Sequence, residues 1–457
     1  VSQYETTAAL TGPTMAWPTE RWWATYGDPQ LDRLIDEALA GSPDLAVASA
    51  RLRQAEAMSQ VAGAPLLPQV SAHGSATQEK QSYHYLMPRS ALPEGWKDYG
   101  RATLDFNWEL DFWGKNRAGL AAATSQLEAS RAELAQARLG LAAAVATGYA
   151  DLAQLFAVRD TAARSVAVRG KTAALFQERF DNGLETKGSL NEAKARQAAA
   201  EGELLAIDEQ IGLQRNRLAA LLGAGPDRGL SITRPAVRLA ANFALPPELA
   251  ADLLGRRPAV VAARLMAEAQ LKRIDQKKAE FYPNINLMAF VGTQALGFDH
   301  LFDSGSRALG FGPAISLPLF DAGRLRSNLK AKTADYDAGV EQYNLLVREA
   351  ARDVADQITS LNAIARQQKE QDAALAGFQE AWRLARLRYD KGLTNYLTVL
   401  SAEGQWLAQR RIEVDLKARQ LDTRVGLIRA LGGGLPLDTP APHNTNNTPS
   451  PDSAQQG

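Results

Sequence analysis

Proline is absent from Glu94 to Gly225 and again from Leu319 to Leu435. Inside a helix proline removes a hydrogen bond and clashes with the preceding turn, so these two runs are where very long helices can form. Both are rich in Ala, Leu, Glu, Gln, Arg and Lys, all strong helix formers. Each is broken once. Arg179-Phe180-Asp181-Asn182-Gly183-Leu184-Glu185-Thr186 interrupts the first, and Arg388-Tyr389-Asp390-Lys391-Gly392-Leu393-Thr394 interrupts the second. Gly183 and Gly392 stand where a helix stop needs positive φ. The helical pattern then resumes, so the chain makes one tight reversal twice.

The two halves form an internal repeat. Pro43 to Pro68 and Pro258 to Pro283 are each 25 positions apart, and Gly183 to Gly223 and Gly392 to Gly432 are each 40. Each half reads as a short helix closed by Leu67-Pro68 or Tyr282-Pro283, two strands, a long helix, the reversal and a shorter helix. This divides the chain into 1–42, an N-terminal extension and equatorial segment; 43–223, the first repeat, with strands over about 69–78 and 101–113; 224–257, a proline-rich connector; 258–432, the second repeat, with strands over about 284–293 and 307–320; and 433–457, a Pro, Asn, Thr, Ser and Gln tail read as disordered.

Helix lengths suggest a layer. Arg117 to Asp181 would span ~100 Å at about 1.5 Å per residue. The returning helix to Gly223 and the helix from Pro43 together match it, as a long rod beside two shorter ones. Alanine is dispersed around these helices, as in Ala121-Ala122-Ala123 and Ala142-Ala143-Ala144. A solid bundle wants large residues on one broad face. A hollow wall needs narrow seams of small residues, which fits better, with an antiparallel coiled coil as the alternative.

Arg101–Trp113 alternates almost perfectly. Ala102, Leu104, Phe106, Trp108, Leu110 and Phe112 share one face; Thr103, Asp105, Asn107, Glu109 and Asp111 share the other. Period two denotes a strand. In the second half, Ile285, Leu287, Ala289 and Val291 oppose Asn284, Asn286 and Gly292, and Leu309, Phe311, Ile315, Leu317 and Leu319 oppose Gly310, Gly312 and Ser316. No other segment is free to cover the apolar face, so it is expected to meet lipid while the acidic face meets a wet lumen. Trp113 and Phe320 fall at strand ends, where aromatic girdles belong. Gln78–Gly100, with Tyr83, Tyr85, Pro88, Pro93 and Trp96, and Gln294–Ser306 are expected as external loops. Four strands per chain cannot close a spanning barrel, whose smallest single-chain form has about 8. Two copies would close around side chains, and three could leave a channel.

Composition removes several function classes. Lys+Arg and Asp+Glu both number 51, so no basic surface suits nucleic acid. There is no cysteine, hence no disulfide framework or thiolate site. His73, His84, His300 and His443 lack the spacing of a helical metal pair. No phosphate-binding Gly-x-x-x-x-Gly-Lys-Ser/Thr loop occurs. The expectation is therefore no catalytic, cofactor or metal site. No stretch approaches ~20 consecutive apolar residues, so no transmembrane helix is expected, and the absence of a signal peptide before Val1 reads as a mature or trimmed form.

Several pieces together resemble the TolC-like outer-membrane efflux proteins, in particular the OprM-type outer-membrane factors. They are Trp22-Trp23 followed by Gly27-Asp28-Pro29-Gln30-Leu31; Arg257-Pro258; Phe281-Tyr282-Pro283-Asn284-Ile285; Pro318-Leu319-Phe320-Asp321-Ala322-Gly323; and the two reversals. The resemblance covers about Trp22 to Gly433. It implies a membrane α+β fold: a homotrimer whose 12-stranded outer-membrane β-barrel, four strands per chain, is continuous with a 12-helix periplasmic α-barrel. Trp22–Ser42, Gly225–Arg257 and the C-terminal tail would form an equatorial girdle. It implies a passive exit duct, fed by an inner-membrane efflux transporter through a periplasmic adaptor (membrane fusion) protein, and a setting in outer-membrane lipid.

The resemblance also assigns residues. Gly183, Leu184, Gly392, Leu393 and Thr394 would form adaptor-docking turns. Leu397 and Ser401 would line a periplasmic aperture. Thr103, Asp105, Asn107, Glu109 and Asp111 are the barrel-lumen candidates. Relatives often carry an Asp and, three residues on, an Arg at the aperture; here the matching positions are Ser401 and Gly404, leaving Glu403 and Asp390 as alternative charges. Many relatives also begin with a lipid-bearing cysteine, which this sequence lacks. A protein-secretion channel and a soluble coiled-coil scaffold are the competing functions, and a scaffold has no use for Arg101–Trp113.

Overall fold

A computed structural model describes residues 17–84, 88–237 and 255–434. The tail from 435, half of the connector (238–254) and Tyr85 lie outside these residues. The chain forms two compact units. One holds the described residues 17–38, 139–237, 255–258 and 353–434; the other is Leu39–Arg138 with Ala259–Arg352. Two helices of equal length, α3 (Lys115–Asp181) and α7 (Arg324–Asp390), begin in the second unit and end in the first.

The second unit carries a four-stranded antiparallel sheet in the order β1 (Gln69–Glu79), β2 (Lys97–Glu109), β3 (Asn284–Leu296) and β4 (Arg307–Ser316). Register follows the alternation. Val70 pairs with Phe106, which pairs with Ala289, which pairs with Phe311. That face collects Val70, Leu104, Val291, Leu309, Phe311 and Ile315, all exposed, with Phe311 at 88 %. The opposite face is less uniform than β2 suggests. Met288 and Phe290 lie on it, paired with Asn107 and Asp105, and Phe290 lies over Gly310, where a Cβ would collide with its ring. Gly292 is required for close approach, since a Cβ there would fall on the Ala102 carbonyl and Thr103.

Strand ends differ from those read by alternation. β2 stops at Glu109 and β4 at Ser316, so Asp111 is not a strand residue. Its carboxylate accepts the amide N–H groups of Asn116 (3.1 Å) and Arg117 (2.9 Å) at the start of α3. Asp321 does the same for Gly323 (3.0 Å) and Leu325 (2.9 Å) at the start of α7. The first amides of a helix have no partner within it, and a carboxylate that caps them also meets the positive end of the helix dipole. These bonds hold the Asp321 carboxyl below the usual range. Trp113 and Phe320 accordingly lie four residues past their strands.

Helix contacts form layers. In the second unit, α2 (Pro43–Gly63) meets α3 where Gly63 faces Leu120; α3 meets α6 (Pro258–Ala279) where Gly119 faces Gln276; and α6 meets α7 where Ala267 faces Gly339. In the first unit, α4 (Lys187–Leu221), followed by the short α5 (Pro226–Leu230), meets α3 through Gln214, whose amide donates to the Gly148 carbonyl (2.7 Å). Next, α3 meets α8 (Tyr396–Ala430) through Thr147 and Asp422 (3.0 Å), and α8 meets α7 through stacked Trp382 and Trp406. Each unit thus lays four helices in order around α3. Seams are narrow: α4 buries Leu190, Ala193, Ala200, Ile207, Ile211, Gln214 and Leu218, steps of three, four or seven that mark coiled-coil packing. One 18-residue stretch of α3 is apolar enough to cross a membrane, against the sequence expectation, but half of it is buried in the structure. Its hydropathy comes from alanines that let neighbours approach closely.

The first unit is anchored by α1 (Pro29–Gly41), which buries Leu31, Leu34, Ile35 and Ala38 along one face. Trp22, Trp23 and Tyr26 are buried just before it. Asp28 accepts from the Tyr149 hydroxyl (2.8 Å), the Ala236 amide (2.7 Å) and the Gln30 amide (3.0 Å), tying α1 to α3 and the connector.

Replacing Asp111 with Ala should cost about 1 kcal/mol through the lost cap, whereas Asn should retain most of it. Far-UV thermal melts of the detergent-solubilised protein check this; equal melting of both variants would place Asp111 outside the helix start.

Candidate functional site: the helix tips of the first unit

Both reversals are built alike. At the first, Gly183 has φ 71°, its N–H donates to the Phe180 carbonyl (2.9 Å) and that of Leu184 to the Arg179 carbonyl (2.8 Å). At the second, Gly392 has φ 74°, its N–H donates to Tyr389 (2.8 Å) and that of Leu393 to Arg388 (2.8 Å). The paired bonds close each helix, and a left-handed residue costs least as glycine. The return helices are capped by different side chains: Thr186 Oγ1 accepts from the Ser189 amide (3.1 Å), and Asn395 Oδ1 from the Thr398 amide (3.2 Å). Leu184 and Leu393 are exposed beside Gly183 and Gly392, while Thr394 is half-buried with its hydroxyl donating to Thr398 (3.1 Å).

Leu397, Ser401 and Gly404 follow at steps of four and three, on one face of α8, and all are exposed, Leu397 at 62 %. Glu403 does not join them. It is 3 % exposed, as is Val399 nearly so, on a different face of the helix. The reason is phase: four residues from Val399 carries a side chain back into the seam, not onto the Leu397 stripe.

Beneath that exposed stripe lies a cluster the sequence reading missed. Tyr396 packs edge-on against Phe176 of α3 (5.5 Å) and Tyr389 of α7 (5.0 Å), and its hydroxyl is hydrogen-bonded to Thr172. Arg179 lies over the Tyr389 ring at 5.4 Å. Burial pushes the Glu403 carboxyl up, with Arg169 and Arg386 pulling the other way, and one of its oxygens has no hydrogen-bond partner. Burial also pushes the Tyr396 phenol up. Tyr389 and Tyr396 bracket the second reversal in the sequence, but only three-helix packing brings them together with Phe176. A groove of about 250 Å³ opens beside them between Phe176, Ala193, Arg196 and Leu397. These groups offer shape, apolar contact and charge rather than a nucleophile with its base.

In the other unit, the lumen candidates diverge. Thr103 is buried and donates to Asp105 (2.9 Å), which His73 also meets at 2.8 Å; Asn107 is exposed, and Glu109 pairs with Lys115 at 2.5 Å. Asp111 is the helix cap described above.

Comparison with known proteins supplies the family. The model of outer membrane efflux proteins matches residues 34–224 and 249–433. The multidrug resistance outer membrane protein MdtP of Escherichia coli K12 is 32 % identical over 92 % of this chain and 87 % of its own. The fusaric acid resistance protein FusA of Burkholderia cepacia is 37 % identical over 71 % of this chain and 61 % of its own. The crystal structure of the outer membrane protein VceC of Vibrio cholerae is 44 % identical, with a TM-score of 0.86 over 92 % of this chain and all of that one.

A carboxyl whose folded pKa is raised binds its proton more tightly in the folded state, so stability falls as pH rises above the ordinary glutamate value near 4.3. Glu403→Gln removes that penalty. Thermal melts between about pH 4 and pH 8 should show a flatter profile and higher stability at neutral pH for the variant. Lower stability at pH 7 would instead mean that Arg169 and Arg386 outweigh the burial.

Proposed function

This chain belongs to the outer membrane efflux protein family, and on that premise we propose that three copies assemble into one duct. It works as the exit channel for efflux across the outer membrane. The observation that carries the trimer is the sheet: its order β1-β2-β3-β4 leaves β1 and β4 as edges with no strand partner among the described residues, under an apolar face open to its surroundings. In lipid, unpaired backbone groups cost several kcal/mol each, so a spanning sheet must close. Pairing β1 of one copy with β4 of the next closes about 12 strands, enough for a channel. Repeating the four-helix layer of each unit three times gives a wall of 12 helices.

The tips of the first unit are the entry. Leu397, Ser401 and Gly404 from three copies form an apolar and small-residue aperture, and the exposed Leu184, Leu393 and Thr394 turns with Gly183 and Gly392 meet a periplasmic adaptor protein that relays cargo from an inner-membrane transporter. Without charge at Ser401 and Gly404, closure rests on Leu397 and on the Tyr396–Phe176–Tyr389 packing that holds α8 in place. The resistance functions of MdtP and FusA support drugs and other small toxic compounds as cargo. Asp105, Asn107 and Glu109, with Thr103 behind them, give the lumen its acidic side.

Planar-bilayer recordings test this reading. Leu397→Ala should raise single-channel conductance several-fold, and unchanged conductance would remove Leu397 from the aperture. In the same recordings, Asp105→Asn with Glu109→Gln should shift the reversal potential away from cation preference; no shift would leave the acidic face without a part in selectivity.

A further inference from the structure

Glu403 of α8 takes no part in the proposed aperture, yet it is buried at the tip of the first unit with 3 % exposure. Successive side chains of a helix are about 100° apart. Tyr396, Val399 and Glu403 therefore share one side of α8, and Leu397, Ser401 and Gly404 share the other. The first side packs on α3 and α7, where Tyr396 meets Thr172, Phe176 and Tyr389. Among the described residues neither oxygen of Glu403 accepts a hydrogen bond and no cation forms an ion pair with it. The groups that face it are Arg169 from α3, Arg386 from α7 and the Tyr396 phenol from α8 itself, with Tyr389 of α7 against the Tyr396 ring. Arg169 donates to the Arg196 carbonyl instead (3.2 Å), and Arg386 is exposed to water.

An ionised carboxylate held out of water with neither a hydrogen bond nor a paired cation is unfavourable, and such a group takes up a proton instead. Burial accordingly pushes the Glu403 carboxyl up, with Arg169 and Arg386 pulling the other way. Arginine stays charged and tyrosine neutral between about pH 4 and pH 8, so Glu403 is the member of this set that changes charge in that range. Withdrawal of the Leu397 stripe requires α8 to turn or slide against α3 and α7. Either movement opens the seam and lets water reach Glu403, whose pKa then returns toward about 4.3.

We infer that Glu403 ties the aperture to proton concentration: its carboxyl holds a proton while α8 is seated and releases it when α8 moves, so the duct opens more readily as pH rises. This regulation rests on the aperture proposed at Leu397. Its sign follows from linkage. Below the ordinary glutamate value both states hold the proton, and pH has no effect. Above it the open state loses the proton first, and the opening equilibrium rises by up to about tenfold per pH unit for each copy. The rise ends above the raised value of the seated carboxyl, where both states are ionised and the seated one carries a dry charge.

Planar-bilayer recordings of the purified full-length oligomer at constant salt, from about pH 4.5 to pH 8, test it. The ratio of open to closed time in the unaltered protein should rise several-fold with pH. Glu403→Gln keeps the shape of the side chain and removes its charge, and should hold a low ratio that does not change with pH; Glu403→Asp should keep a rise. Arg386→Gln, at an exposed position, should move the midpoint to higher pH, because a cation that favours the ionised carboxyl is gone. Glu192→Gln, which removes an exposed carboxylate paired with Arg196 at 2.5 Å, should leave the rise intact. Should Glu403→Gln fail to assemble, the Arg386→Gln midpoint decides alone. A Glu403→Gln profile that matches the unaltered one overturns the inference. So does an unaltered ratio that is flat or falls with pH, a midpoint that stays or falls in Arg386→Gln, or loss of the rise in Glu192→Gln. Leu397→Ala separates this regulation from the aperture beneath it: unchanged conductance removes the aperture itself, while raised conductance with a pH response indifferent to Glu403 keeps the aperture and removes the proton link.

Discussion

Backbone hydrogen bonding at the two edges of a four-stranded sheet governs everything else in this chain. Water can satisfy an open edge on a soluble protein, but hydrocarbon cannot. The face of this sheet carries Val70, Leu104, Val291, Leu309, Phe311 and Ile315 in the open, and in the proposed barrel that face meets lipid. The proposed trimer is the response to that constraint. The duplicated architecture supplies two hairpins per chain, and three chains multiply a set too small to close alone.

The helices meet a different requirement. The wall of the proposed duct has water on both sides and cannot use a thick apolar core, and each helix holds its neighbours through a thin seam. The steps of three and four in α4, the Gly148 contact with Leu218, and the alanine methyls of α3 are the means. The exposed Leu205 and Leu213 of α4 stand outside the seam. At the tips, where the proposed aperture lies, small residues give way to Phe176, Tyr389 and Tyr396, whose rings pack three helices together.

Much of this was legible in the sequence because it depends on local rules. Two proline-free runs, two glycines at matching places and alternation in β2 announce long helices, reversals and a strand with two unlike faces. The errors arise where one local rule imitates another. Asp111 continues the polar phase of β2, but four positions later a helix begins that needs its carboxylate; the sharper signal was an Asp followed closely by Gly at both places, Asp111–Gly114 and Asp321–Gly323, each just before a helix. Met288 and Phe290 break the polar face because the adjacent strand offers Gly310 and Gly312 as space. Glu403 looked available to an aperture because sequence spacing alone does not say which of two faces meets α3 and α7. The Thr172–Tyr396 contact joins residues more than two hundred positions apart, and no spacing rule reaches that far.

The absence of cysteine makes closure of the sheet directly measurable. Val70→Cys in β1 and Leu309→Cys in β4, placed together in one chain and treated in membranes with a short bis-maleimide, should give a covalent ladder that stops at three chains, with neither single variant producing it. A ladder that stops at two, runs beyond three, or never leaves the monomer would contradict a barrel closed by three copies.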